Sequence, residues 1–397
     1  MTPFGRTPLA WKNLTHDWRR LLVAVAGIGF AVLLMFMQIG FQNALFDSQV
    51  KMIDDLAGDI FLVSRAKYTL AAEKRFPIEM VNRARSVPGV TGSYPVYTEL
   101  TFSRLKNLQV HGANKGYPIR SIGFRLDDPV FRSADVNAQL DVLRRPATAL
   151  IDEHSKRENF DFPYDDPAAL AQVPAELANK RLQLVGIFDL GTDFAHDGNL
   201  VMSAENFAMY FPERQRPGDP LSVVDLGVVH LSESADLEEV RQAIDDILDD
   251  RIWVFSRQQF RDQEILFWDK STPIGIVFTA GKIIGFVVGM VICYQVIYSD
   301  IADHMPEFAT LKAMGYSSRY FMSLIVVESV LLSLIGFIPG VAISTALYAR
   351  VASSTGLMLH MTPQVMVTVL LLTLAMCIAS GLLAVRKLLN ADPATLF

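Results

Sequence analysis

Four stretches of this chain are long and apolar enough to cross a bilayer as helices, and they fix the rest of the reading. Leu21–Phe41 and Val365–Val385 carry no charge, Ile283–Ser299 is shorter and also uncharged, and Phe321–Tyr348 holds one charge, Glu328. A helix rises 1.5 Å per residue, so about 20 apolar residues cross roughly 30 Å of hydrocarbon. All four are too long for ordinary core strands. The first exceeds the apolar length of a secretory signal, and no small-residue cleavage site follows it at residues 42–49, so it reads as a span. The composition agrees: of 397 residues, 51% are hydrophobic and 20% charged, with a mean hydropathy of +0.27. A formal net charge of -6 offers no basic field for a phosphate backbone, which excludes nucleic acid as partner.

Flanking cations orient the spans. Arg6, Lys12, Arg19 and Arg20 precede the first, Lys312 and Arg319 lie between the second and third, and Arg386 and Lys387 follow the fourth. Positive charge stays on the cytoplasmic side, so both termini are expected there. The resulting layout is a cytoplasmic N-terminal segment 1–20, span 21–41, an extracytoplasmic insertion 42–272, span 283–299, a cytoplasmic loop 300–320, span 321–348, a short outer loop 349–364, span 365–385 and a cytoplasmic C-terminus 386–397. The expected fold class is an α-helical membrane protein with four transmembrane helices and a large extracytoplasmic α/β domain between the first two.

Within the insertion, β-branched and aromatic residues cluster between turn residues at Asp59–Val63, Tyr94–Phe102, Arg181–Phe188, Asn199–Met202, Val223–Leu231 and Ile252–Phe255, which predicts strands. Leu237, Val240, Ile244, Ile247 and Leu248 form one apolar helical face between the last two, giving a β-α-β passage. A second helix is expected at Ile78–Arg85, ended by Pro88-Gly89. The turn-rich middle, about 110–220, reads as a second lobe inserted in the first, and 256–282 as a stalk helix interrupted or bent near Pro273, with Lys282 at the outer headgroups.

No engine is legible. A phosphate-binding loop needs G-x-x-x-x-G-K-[ST], and Gly281-Lys282 matches only its end, with Ile283 next and five residues back to Gly275. No nucleophile–base pair or paired-cysteine zinc spacing occurs, and Asp189, Asp193, His196 and Asp197 read as solvated loop residues rather than metal ligands. The two cysteines, Cys293 and Cys377, fall in apolar runs, so the outer domain is expected to fold without a disulfide. No catalytic residue, metal or cofactor is assigned to this chain.

The informative polar stretch lies between spans two and three. Pro306 suits a helix's first turn, Glu307 its positive end and Gly315 its stop, predicting a short amphipathic helix. Phe308, Leu311 and Met314 give it apolar surface, and Glu307 and Lys312 could orient a partner; by pattern alone it either docks a partner or lies on the headgroups. Glu328 costs about 2.5–3.5 kcal/mol at a span centre, so it should face protein. Gly285-x-x-x-Gly289 and Gly336-x-x-x-Gly340 allow close helix approach. The spans contain too few polar residues for a hydrophilic channel.

This layout, with the loop string Glu307-Phe308-Ala309-Thr310-Leu311-Lys312-Ala313-Met314-Gly315, resembles the FtsX/MacB-like permeases of ABC systems. Pro8-Leu9-Ala10-Trp11-Lys12-Asn13-Leu14, Leu33–Phe41, Ser271-Thr272-Pro273-Ile274-Gly275, Ser299–His304 and the Ala391–Phe397 end look like the DevC subfamily of cyanobacterial exporters. The resemblance implies a homodimeric permease in the bacterial inner membrane, with a periplasmic domain of porter and sabre lobes. It implies a separate ABC ATPase that carries ATP and magnesium, a membrane-fusion adaptor and a TolC-like outer-membrane duct. Carried onto this chain, it makes Glu307–Gly315 the ATPase contact, and the 256–282 stalk with span two the route of transmission. The other reading is a scaffold that regulates an extracytoplasmic cell-wall hydrolase or sensor. A stand-alone carrier dependent on Glu328 ranks last, because discontinuous polar helices are lacking.

Overall fold

A computed structural model describes residues 18–110, 116–193, 195–215, 217–305, 310, 314–355 and 359–389. Among them the chain divides into two compact units, one of 18–44, 273–355 and 359–389, the other of 45–272.

The first unit is helical. It contains the greater part of α1 (Trp18–Asp55), and all of α6 (Pro273–Asp303), α7 (Ser318–Thr355) and α8 (Pro363–Leu389); helices α2–α5 belong to the other unit. All four are long and apolar enough to cross a membrane. Small residues set their spacing. A Cβ on Gly336 would lie 2.6 Å from Ile28 Cγ2, and one on Gly340 would lie 2.7 Å from Val32 Cβ, so α1 and α7 touch nearly backbone to backbone. Polar side chains add single bonds: Ser380 Oγ donates to the Met290 carbonyl at 2.7 Å, the Tyr348 hydroxyl donates to the Phe36 carbonyl, and Lys282 Nζ donates to Gln42 Oε1 at 2.8 Å.

The second unit is built on a mixed sheet of eleven strands in the order β13-β1-β12-β3-β6-β10-β7-β9-β8-β4-β5. These are β1 (Ile60–Ser64), β3 (Val90–Glu99), β4 (Arg104–Asn107), β5 (Tyr117–Pro118), β6 (Arg120–Phe124), β7 (Thr148–Asp152), β8 (Ala175–Leu177), β9 (Lys180–Phe188), β10 (Asn199–Ser203), β12 (Leu226–Leu231) and β13 (Ile252–Ser256). Two further strands, β2 (Phe76–Pro77) and β11 (Val223–Val224), pair apart from it. Most neighbours are antiparallel, but β10 runs parallel to β6, with Val201 opposite Ile122, and β9 parallel to β7. Residues 110–220 were expected as a separate inserted lobe. They carry β5 to β10, which join the eleven-stranded sheet through the β3–β6 pair, where Thr98 faces Ile122.

Because strand side chains alternate, central strands such as β1 feed two cores. Ile60 and Leu62 of β1 join Tyr97, Ile151, Leu184 and Phe207 on one face. Phe61 and Val63 join Val96, Ile122, Leu150 and Val201 on the other. Helices α2 (Ile78–Ala84), α3 (Ala204–Tyr210) and α4 (Leu237–Ile247) contribute Val81, Phe207 and Ile244 to the first core. The end of α1, through Ile53, and α5 (Arg257–Lys270), through Phe260, contribute to the second. The stalk expected over 256–282 is two helices, with Ser271 and Thr272 between α5 and α6.

Candidate functional site

Four of the residues singled out for docking a partner, Glu307, Phe308, Leu311 and Lys312, lie outside the described residues. Met314 is exposed and its N–H donates to the Thr310 carbonyl at 3.0 Å. Gly315 takes φ +92°, a left-handed conformation that glycine adopts without strain.

The residues expected to pack the helices and transmit motion, Gly285, Gly289, Glu328, Gly336 and Gly340, lie inside the helical unit. Gly289 packs tightly: its Cβ would stand 2.7 Å from Ala31 Cβ and 2.5 Å from Met376 Sδ. Gly285 has room, with Met35 Cγ at 3.6 Å. Glu328 is buried, at 2% exposure. Cys293 and Cys377 face each other across α6 and α8 with sulfurs 3.2 Å apart, a pairing that nothing in their sequence context announced. Gly281 and Lys282 sit inside α6, where backbone amides bond within the helix, unlike those of a phosphate-binding loop.

In the outer unit, the ends of α1 and α5 meet in one polar junction. The last carbonyls of a helix have no partners within it and favour a cation. Arg257, the first residue of α5, supplies one: its Nη1 donates to the Ile53 carbonyl and, at 3.2 Å, to that of Asp54, and its Nη2 donates to Leu56 at 2.7 Å and to Gly58. The guanidinium also lies 5.2 Å from the Phe61 ring centre. One turn on, Arg261 pairs with Asp54. Burial and the neighbouring acids push the Asp55 carboxyl up to about 6.

A second contact holds α5 from another side. Glu264, 1% exposed, accepts from Thr69 Oγ1 at 2.6 Å, the Leu70 N–H at 2.9 Å and Trp268 Nε1 at 2.9 Å. Its burial raises its pKa, although these donors favour the ionised form. Sequence reasoning, which reads 256–282 only as a stalk helix, missed this junction because its partners at 53–58 lie about 200 residues away. One signal was available: α5 opens on arginine with no acid in its first turn, against the usual helix-end preference.

The acidic loop is split among other partners. Asp193 pairs with Arg120 Nη1 at 2.8 Å and His196 Nδ1 at 2.8 Å, and Asp197 pairs with Lys156 at 2.6 Å. Burial alone would raise the Asp193 carboxyl, but Arg120 and His196 outweigh it and hold it far below the usual range. Asp189 lies instead beside His154 and Glu153, the three offering ligand atoms within 4.8 Å of one another, with Glu153 exposed and His154 and Asp189 half-buried or more open.

Taken together, four apolar helices and an outer α/β unit define a membrane-anchored protein with a large extracytoplasmic domain. The MacB-like periplasmic core domain family matches residues 21–247 and the FtsX-like permease C-terminal family residues 279–393. The chain therefore belongs to the FtsX/MacB-like ABC permease family, whose members are membrane components of ABC transporters and not enzymes themselves. Such a family implies an ABC ATPase as partner and an inner-membrane location.

Among solved structures, the periplasmic region of MacB from Actinobacillus actinomycetemcomitans is similar at 11% identity over 51% of this chain and 90% of that one, with a TM-score of 0.34. The extracellular domain of the noncanonic ABC-type transporter YknZ from Gram-positive bacteria is similar at 11% identity over 50% and 99%, with a TM-score of 0.32. No curated protein matches the chain.

Proposed function

We propose that the chain is the permease of an ATP-driven exporter of the DevC type, converting nucleotide-driven motion of a separate ATPase into movement of its outer domain. In this reading both termini and the 300–320 loop are cytoplasmic and the 42–272 domain is periplasmic. The ATPase, with its ATP and magnesium, docks on Glu307, Phe308, Leu311, Lys312, Met314 and Gly315. Motion passes along span two and the 256–282 stalk, with Gly285, Gly289, Glu328, Gly336 and Gly340 keeping the helices packed. Two copies of the chain work with a membrane-fusion adaptor and a TolC-like duct.

The observation that carries this reading is a permease-type C-terminal region and a MacB-like domain in one chain, with α5 and α6 adjoining in sequence. Replacing Leu311 and Met314 with Asp puts charge on the apolar face of the docking helix. The double variant should insert in the membrane yet no longer co-purify with its ATPase. Retained co-purification would remove the coupling role. Crosslinking the outer domain in native membranes separates the scaffold reading: an adaptor supports export, and a hydrolase or sensor kinase supports regulation.

A further inference from the structure

We propose that Arg257 is a positioning residue for transmission: its guanidinium locks the outer end of α1 and the start of α5 into one rigid piece, so that neither helix delivers motion to the outer domain alone. The proposal rests on the mechanotransmission reading above and adds a specific element to it.

The chemistry is unusual for a simple helix start. A cation in the first turn of a helix opposes the helix dipole, and Arg257 occupies that turn of α5. What offsets this is the far end of another helix and the chain just beyond it: the carbonyls of Ile53 and Asp54 in α1 and of Leu56 and Gly58 after it all accept from the same side chain. A planar fork with five donors can bridge four carbonyls, whereas a lysine ammonium cannot reproduce that spread. The Arg261–Asp54 pair repeats the link one turn later, and Phe61 and Phe260 pack beneath it with ring centres 5.6 Å apart.

Continuity gives the junction its leverage. Helix α1 is the same helix that contains the first apolar span, and α5 is separated from α6, which contains the second, by Ser271 and Thr272. The lock therefore ties the outer continuations of the two spans that flank the outer domain in sequence. Glu264 bonds α5 to residues 69–70 instead, so it fixes the helix to the domain.

The test uses the full chain with its ATPase in nanodiscs, in a Cys293→Ala/Cys377→Ala background. ATP hydrolysis and hydrogen exchange of peptides covering β1 and β13 are measured with and without trapped nucleotide. The unaltered junction should show a nucleotide-driven change in exchange. Arg257→Ala should keep ATP hydrolysis and lose that change, and Arg257→Lys should not restore it. In the Arg257→Ala chain, joining Asp54→Cys to Arg261→Cys with a short bis-maleimide should bring the response back, which a general loss of folding would not allow.

An Arg257→Ala chain that keeps the full response overturns the lock while leaving mechanotransmission intact. So does failure of the cross-link to restore the response. No response even with the junction unaltered overturns the mechanotransmission reading, and the lock with it.

Discussion

The helical unit and the outer unit hold together by different physics. In the outer unit, backbone ladders fix the strands, and buried charges are paired within it. Arg214, whose side chain is 1% exposed, is bonded to Asp225, lies 3.5 Å from Glu99, and stacks 4.8 Å from the centre of the Phe207 ring. Arg75 completes the group at 2.7 Å from Glu99. The helical unit has no ladder between its helices; among the described residues its contacts include close approaches at glycine and isolated side-chain bonds. The outer unit can therefore be broken at one charge, and the helical unit chiefly by adding volume.

The largest effect is expected from Arg214→Ala, which leaves Asp225 buried without its nearest cation and Glu99 with Arg75 alone. Removing one partner of a buried pair costs about 3–5 kcal/mol. Urea unfolding of the full chain, followed by exchange in β3 and β12 peptides, should show that loss there and leave the helices unaffected. A loss below about 1 kcal/mol would place the network with ordinary surface pairs.

Adding volume to the helical unit comes next. Gly336→Leu drives a side chain into Ile28, whose Cγ2 already stands 2.6 Å from a Cβ position, and overpacking of this kind costs about 1–3 kcal/mol. A lowered melting temperature in detergent measures it. Gly285→Ala is the internal control: with Met35 Cγ at 3.6 Å, the added methyl makes an ordinary contact and the midpoint should barely move.

What the sequence made legible follows the same division. The spans announce themselves because about 20 uncharged, mostly apolar residues in a row match the hydrocarbon thickness of a bilayer and exceed what a soluble core strand needs. Strands with a turn on each side, such as Asn199–Ser203, and the amphipathic helix Leu237–Ile247 were equally readable. Thr148–Asp152 was missed because both its faces are buried, so its five residues show no alternation. Arg120–Phe124 was missed because it opens on an arginine, whose burial is explained by Asp193 and Asn199, far along the chain. The Arg257 junction and the Cys293–Cys377 contact were invisible for a related reason: each depends on partners about 200 or 84 residues away, which no local pattern encodes.

The smallest effect sharpens the comparison most. Ser380 Oγ donates to the Met290 carbonyl, an interhelix bond with 2.7 Å between its atoms, as well formed as those in the outer unit. Geometry alone would rank it with them. In a bilayer, however, the separated helices also find polar partners, and such bonds average only about 0.6 kcal/mol by double-mutant cycles. Ser380→Ala should therefore shift stability by well under 1 kcal/mol, while Arg214→Ala shifts it several-fold more. A shift for Ser380→Ala as large as that for Arg214→Ala would mean that directional bonds hold both units, and that close glycine packing is a consequence of them rather than the cause.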